Sequence, residues 1–194
     1  MILESLVTTL NEDGSPNIAP MGPRVEPGMG RFVLRPFKTA TTYRNLKRLG
    51  EGVLHVTDDV LMLARAAIGE DPRAETRAAG AVRGRVILEA CRYYEFRVIA
   101  IDDREDRTTI AAETVASGVL REFFGLNRAK HAVVEGAILA TRVGILPGDE
   151  IVESFDRLVA PVEKTGGPDE IAAFALLAGY LRDRGLPVPD FPRP

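Results

Sequence analysis

The chain has 194 residues, 45% hydrophobic and 27% charged, the proportions of a folded globular protein. Its 25 basic and 28 acidic residues leave a formal net charge of −3, which argues against a nucleic-acid partner, and the single cysteine, Cys91, cannot form an internal disulfide. No run of about 20 apolar residues could span a bilayer, and the opening MILESLVTTLNEDG lacks the basic-then-apolar pattern of a secretory leader, so a cytoplasmic protein without a membrane partner is expected.

In chain order, LESLVTTL, SPNIAPMGPRV and GRFVLRP read as strands of an antiparallel meander, with NEDG supplying the first tight turn. A short helix follows and ends at Gly50, and GVLHVT is a further strand. DVLMLARAAIG reads as helix. VRGRVILEACRYYEFRVIAIDD and DRTTIAAETVASG read as a long bent strand pair joined at Asp102–Arg107. Short runs of β-branched and aromatic residues divided by glycine or aspartate turns predict a small barrel over 1–120.

Beyond residue 120 the period becomes helical. NRAKHAVVEGAILATRVGIL repeats apolar residues at Val133, Ala137 and Ala140, and its small residues Ala129, Ala132, Gly136 and Ala140 suit close packing. GDEIVESFDRLVAPVEKTG places Ile151, Phe155, Leu158 and Val162 on one face, with Pro161 expected to kink its end. GPDEIAAFALLAGYLRDRG has helix punctuation at both ends: Gly167, Pro168, Asp169 and Glu170 at the start and Gly185 at the stop. The tail PVPDFPRP is expected to be extended. The predicted fold class is therefore α+β, a small β-barrel over 1–120 with a helical C-terminal subdomain over 121–194 packed on the barrel or on a partner.

The helix that begins near Thr41 carries more polar groups than a cap requires. Thr39, Thr41 and Thr42 offer hydroxyls, Arg35, Lys38 and Arg44 offer charge, and Asn45 adds an amide one turn in. A helix N-terminus has unpaired N–H groups and partial positive charge, so this cluster could cradle a phosphate. A cap with a solvated basic face is the alternative reading of the same residues.

The segments DGSPNIAPMG and TYRNLKRLGEGVLHVTDD, about 25 residues apart, resemble the FMN-binding split-barrel superfamily in its flavin-reductase-like form. The run FFGLNRAKHAVVEGAILATR is similar to the Gly-(Phe/Leu)-Asn-Arg-Ala-Lys signature of a small microbial branch of that superfamily, one labelled a domain of unknown function. The resemblance makes the expected barrel a split β-barrel and implies a bound FMN. Asn17, Ala19, Pro20, Met21 and Gly22 would lie along the isoalloxazine ring. Thr42, Asn45, Leu46, Gly50, Glu51 and Val53 match the helix-then-strand motif that holds the phosphate. The nicotinamide-side histidine pattern of many flavin reductases has no counterpart in the sequence. FMN binding is therefore better supported than reductase activity. The resemblance also implies a homodimer with the flavin at or near the interface.

Asn127 is a natural N-cap, and Arg128 and Lys130 put two cations in a first turn whose dipole disfavours them. An anion such as the FMN phosphate or a substrate carboxylate would account for them, as would simple capping. His55 and His131 read as structural, Cys91 as a small buried residue, Tyr93, Tyr94 and Phe96 as core, and DDRED as a solvated turn. No cluster has the spacing of a metal site. Three functions are consistent with these readings. They are a flavin-dependent oxidoreductase acting on a small molecule or accepting electrons from a nicotinamide donor, a flavin carrier or sensor without turnover, and an interaction module that has lost the cofactor.

Overall fold

The computed structural model describes residues 1–191. The last residues of the expected extended tail, 192–194, lie outside the described residues. The architecture is α+β and divides into two compact units, one formed by 1–57 and 74–123, the other by 58–73 and the rest of the chain.

The first unit is a curled antiparallel sheet. Its strands are β1 (Ser5–Leu10), β2 (Pro16–Met21), β3 (Arg24–Val25), β4 (Arg31–Leu34), β5 (Glu51–Val56), β8 (Arg92–Asp102) and β9 (Thr109–Val119), in the order β2-β1-β5-β8-β9-β4-β3. β3, last in that order, pairs with the residues that lead into β1. Ile2 bridges Arg24, and the Val25 N–H donates to the Met1 carbonyl at 2.9 Å. This closure leaves the barrel split beside β2, which ends the order and keeps one free edge.

Burial explains the strand sequences. Ser5 to Thr9 in β1 and Gly52 to His55 in β5 are buried on both faces, because each strand has the core on one side and packed polypeptide on the other. Burial therefore runs continuously along both strands instead of alternating, and takes in Ser5, Thr8, Thr9 and His55 along with the apolar residues. Gly52 has a packing reason as well: a Cβ there would stand 2.7 Å from the Phe96 ring and 3.0 Å from the Thr8 carbonyl oxygen. Register shifts at Glu95/Phe96 and Val98/Ala100 bend the long β8–β9 hairpin. The core gathers Val7, Phe32, Leu34, Leu54, Phe96 and Ile110, with Phe32 and Phe96 edge to face at 5.2 Å. Helix α1 (Thr41–Leu49) presses Tyr43 and Leu46 into this core and stops at Gly50, whose φ of 67° suits a residue without a Cβ.

One expected strand is two. The run from Val82 to Asp103 breaks at 88–91. Its first part, β7 (Arg85–Ile87), pairs with β6 (Thr76–Ala78) in a separate two-stranded ladder, and β8 begins at Arg92. The break has an anchor in His55, whose Nε2 accepts the Ile87 N–H at 3.0 Å while Nδ1 donates to the Leu6 carbonyl at 3.3 Å. His55 is thus the structural histidine expected. Phe96 lies in the core as expected, with Tyr94 packed against it.

The second unit contains α2 (Val60–Ile68), α3 (Arg128–Ala140), α4 (Gly148–Thr165) and α5 (Pro168–Arg182). A division at residue 120 assigns α2 to the barrel, yet Val60, Leu63 and Ala64 are buried in the same core as Val133, Phe155 and Leu177. Hydrophobic burial, rather than chain order, decides membership. Ala129, Ala132, Gly136 and Ala140 form the close-packed face expected of small residues, and a Cβ at Gly136 would meet Phe155 at 3.3 Å. Phe155 stacks on Phe174 with centroids 4.4 Å apart. In α4 the buried row is Ile151, Phe155, Val159 and Val162, with Leu158 half-buried beside it, and the helix runs through Pro161 to Thr165. Among the described residues, no helix is long and apolar enough to cross a membrane.

Candidate functional site: a polar cradle at the start of α1

Helix α1 begins without a side-chain cap. Its N-cap residue is Ala40, in extended conformation, and no side chain accepts the first-turn N–H groups. Those N–H groups and the positive end of the helix dipole are left for another acceptor. The threonines on either side of Ala40 are placed differently. Thr41 accepts from the Arg44 guanidinium at 3.0 Å, and the same guanidinium donates to the Thr39 carbonyl at 3.2 Å. Thr42 is buried and turns toward the sheet.

There it meets the first motif. Asn17, on the edge strand β2, donates its side-chain amide to the Thr42 hydroxyl at 3.1 Å and to Thr9 Oγ1 at 3.3 Å. Asn45, one turn after Thr42 on the same helix face, donates to Thr9 Oγ1 at 3.1 Å and to Asn11 Oδ1 at 2.9 Å. Asn17, Thr42 and Asn45 therefore form one partly buried network with Thr9 as its hub. Ala19, Pro20 and Met21 continue along β2 opposite Val7, Leu6 and Ser5. Because β2 is an edge, alternate backbone groups of this strand face away from β1. Gly22 follows it, where a Cβ would meet the Ile2 side chain at 3.2 Å.

The segment ahead of α1 is held from across the sheet. Lys38 N–H donates to the Asp106 carbonyl at 2.9 Å, and the Pro36 carbonyl accepts both the N–H and the hydroxyl of Thr108. Arg107 donates to the Arg35 carbonyl at 3.4 Å and lies over the Phe37 ring. Tyr43 donates its phenol to Asp103 at 2.6 Å, and Lys47 pairs with the same carboxylate at 2.8 Å. The Lys47 and Tyr43 hydrogen bonds hold Asp103 below the usual carboxylate range. The turn expected to be merely solvated thus fastens the residues that lead into α1. Sequence reading missed it because its composition is that of any polar turn. Continuing the β4–β9 pairing past Leu34↔Ile110 to Phe37↔Arg107 is the signal that finds it.

Arg35 carries the sharpest electrostatic feature. Its Nε is buried with no hydrogen-bond partner among the described residues. A buried guanidinium N–H without an acceptor costs free energy that an anion would recover. Lys38 Nζ donates to the Arg104 carbonyl at 3.4 Å, and its charge also acts on Asp103. An uncapped helix start and, in the segment that leads into it, a buried unpartnered guanidinium nitrogen and a lysine suit a phosphate.

The third group of expected site residues belongs to the helical unit. Asn127 caps α3, accepting the N–H groups of Ala129 and Lys130, and its amide donates to the Thr165 carbonyl at 3.0 Å. Lys130 forms an ion pair with Glu170 at 2.7 Å and donates to the Asp58 carbonyl at 2.7 Å. Both are therefore engaged within their own unit. Arg128 is exposed and has no ion-pair partner among the described residues. Also among the described residues, no group of three or more His, Cys, Asp or Glu side chains could hold a metal ion.

Comparison with known proteins places this geometry in context. A crystal structure of an FMN-bound protein from Methanosarcina mazei, assigned to the DUF447 family, matches with a TM-score of 0.77 at 24% identity, covering 92% of this chain and 94% of that one. Flavoredoxin of Desulfovibrio vulgaris matches at 0.54 and 18% identity, covering 61% of this chain and 69% of its own. The 2-nitrobenzoate 2-nitroreductase of Pseudomonas fluorescens matches at 0.53 and 20% identity, covering 60% and 64%. At these identities the likeness establishes the split-barrel fold. No curated protein matches the sequence. Residues 3–121 match the family described as "Protein of unknown function (DUF447) N-terminal domain" and residues 127–179 match "Protein of unknown function (DUF447)", so the chain belongs to the DUF447 family.

Proposed function

We propose that the protein binds FMN and works as a flavin-dependent oxidoreductase on a small molecule, with the flavin phosphate at the start of α1. The observation that carries this reading is the buried, unpartnered Arg35 Nε immediately ahead of a helix whose N-terminus has no side-chain cap. The FMN-bound family relative from Methanosarcina mazei supports the choice of anion.

In this reading the phosphate receives the first N–H groups of α1, the Arg35 guanidinium, Lys38 and the hydroxyls of Thr39, Thr41 and Thr42. Asn17 holds the Thr42 hydroxyl in place, and Asn45 braces the same network through Thr9. The free edge of β2 turns the backbone N–H groups of Ile18 and Gly22 away from β1 and toward the ring; those of Ala19 and Met21 pair with Val7 and Ser5, and Pro20 has none to give. FMN supplies electron transfer when bound, and the chain tunes it by where these N–H groups stand. Arg128 is an exposed cation of the helical unit that a second chain could bring to the flavin, and Asn127 and Lys130 stabilise the helix start that carries it.

The test begins with the absorbance spectrum and a flavin titration of the purified protein. FMN should bind far more tightly than riboflavin, which lacks the phosphate. Anaerobic bleaching of the bound flavin by NADH or NADPH then supports the oxidoreductase. A flavin that binds tightly but resists every donor points to the carrier or sensor instead, and failure to bind FMN overturns the proposal.

A further inference from the structure

Thr9 is buried at the centre of the polar network, on β1 directly opposite Asn17. A valine would fill the same space in a strand, so the hydroxyl needs a reason. The neighbouring Thr8 has one in the Arg85 carbonyl. Thr9 Oγ1 instead accepts two amides from two different elements, Asn17 from β2 and Asn45 from α1.

The consequence falls on Thr42. An asparagine amide has two N–H groups, and Asn17 gives one to Thr9 and the other to Thr42. A threonine hydroxyl can accept or donate. Once it accepts from Asn17, its own hydrogen is left to give. A phosphate takes only donors. Asn45 is fixed in the same sense, since its Oδ1 accepts from Arg48 at 3.4 Å while its amide hydrogens go to Thr9 and Asn11.

We infer that Thr9 is a positioning residue for the phosphate cradle, orienting the Asn17 amide so that Thr42 meets a bound phosphate as a hydrogen-bond donor, with Asn45 fixed on the same Thr9 hydroxyl. The inference rests on the phosphate placement proposed above. Loss of the Thr9 hydroxyl should not release α1, because Asn45 keeps Asn11 and because Tyr43 and Leu46 remain in the core.

The experiment compares Thr9→Val, Thr9→Ser, Thr42→Ala and the double variant Thr9→Val/Thr42→Ala, titrated with FMN and with riboflavin. Thr9→Val should weaken FMN about tenfold, the scale of one lost hydrogen bond, and riboflavin less than about threefold. Thr9→Ser should return FMN affinity to within about threefold of the parent. In the Thr42→Ala background Thr9→Val should cost less than about threefold, because the two residues act as one unit. In the flavin-free protein, the side-chain amide NMR signals of Asn17 and Asn45 should move in Thr9→Val and not in Thr9→Ser. Equal losses for both flavins, full additivity, or no rescue by serine would overturn the inference. If Thr42→Ala binds FMN like the parent, the phosphate placement itself fails and takes the inference with it. If Thr42→Ala is weakened while Thr9→Val is silent, only the role of Thr9 fails. Should Thr9→Val not fold, Thr9→Ala must show the same FMN-selective loss, and an equal loss for riboflavin would overturn the inference.

Discussion

The Asn17 amide donates to the Thr42 hydroxyl across 3.1 Å, joining a free sheet edge to the first turn of α1. These two residues lie 25 positions apart in the chain. Their contact puts the candidate ring surface and the candidate phosphate surface on one network, so damage at either end should register as lost flavin affinity.

The first prediction concerns the cradle itself. Thr42→Ala with Arg35→Ala removes one hydroxyl donor and one charged donor. Together they should weaken FMN binding by about 2–4 kcal/mol, one neutral and one charge-assisted hydrogen bond. Flavin fluorescence titration measures this. An unchanged dissociation constant would remove the phosphate from the start of α1.

How far the sequence carried this site depends on which contacts are local. The cluster from Arg35 to Asn45 was readable because helix starts have a fixed chemistry within a few residues. Asn17 was reachable only through the family resemblance. Thr9 was not readable at all, since a threonine in a β-branched strand looks like any other. The Asp103–Thr108 turn contributes through partners about 60–70 residues away, which no local pattern encodes. Helix α2 was recognised as a helix but given to the barrel, because nothing in its nine residues says which core will bury Leu63.

His55 gives the protein a pH dependence with a definite sign. Burial pushes its pKa down from 6.5 to about 4, so the folded state keeps it neutral where the unfolded chain protonates. The unfolded state therefore binds more protons between about pH 6.5 and 4. Stability is fully present above that window and falls as the pH drops through it, by up to about 3 kcal/mol from this residue. Urea unfolding at pH 7 and pH 5 should show the loss, and His55→Gln should flatten the slope. An equal slope in the variant would assign the effect to other groups.

Lys130 offers a test of role against role. Its ammonium is mostly buried between Glu170 and the Asp58 carbonyl. Lys130→Met leaves the Glu170 carboxylate buried with backbone N–H partners alone, those of Gly167 and of Glu170 itself. Stability of the helical unit should fall by about 3 kcal/mol, the scale of a buried pair broken from one side. Lys130→Met combined with Glu170→Leu should recover part of that loss. Denaturant melts decide the matter: a single variant as stable as the parent would mean the pair is not what holds these helix starts together.

The proposed pairing of two chains rests on an exposed part of the barrel. Ile99, at 48% exposure, stands with Val33 and Ala111 in a cleft of 410 Å³ that also contains Arg24, Glu26 and Arg31. Glu113 lies opposite Arg31 in the ladder, so charges of both signs surround an apolar centre. A two-fold contact requires such a surface, because the same patch must complement itself. An interface able to hold a permanent dimer buries at least about 2,000 Å² in all, so this cleft would be the middle of a wider contact. Light scattering at low micromolar concentration should report about twice the 21.1 kDa chain mass. Ile99→Glu should place a charge in the centre of the contact and shift the mass toward one chain. It should also lower flavin affinity if Arg128 from the second chain helps to complete the site. A parent protein that stays at one chain mass while holding FMN tightly would show that one chain is sufficient, and the shared-site arrangement would then be wrong even with the cradle intact.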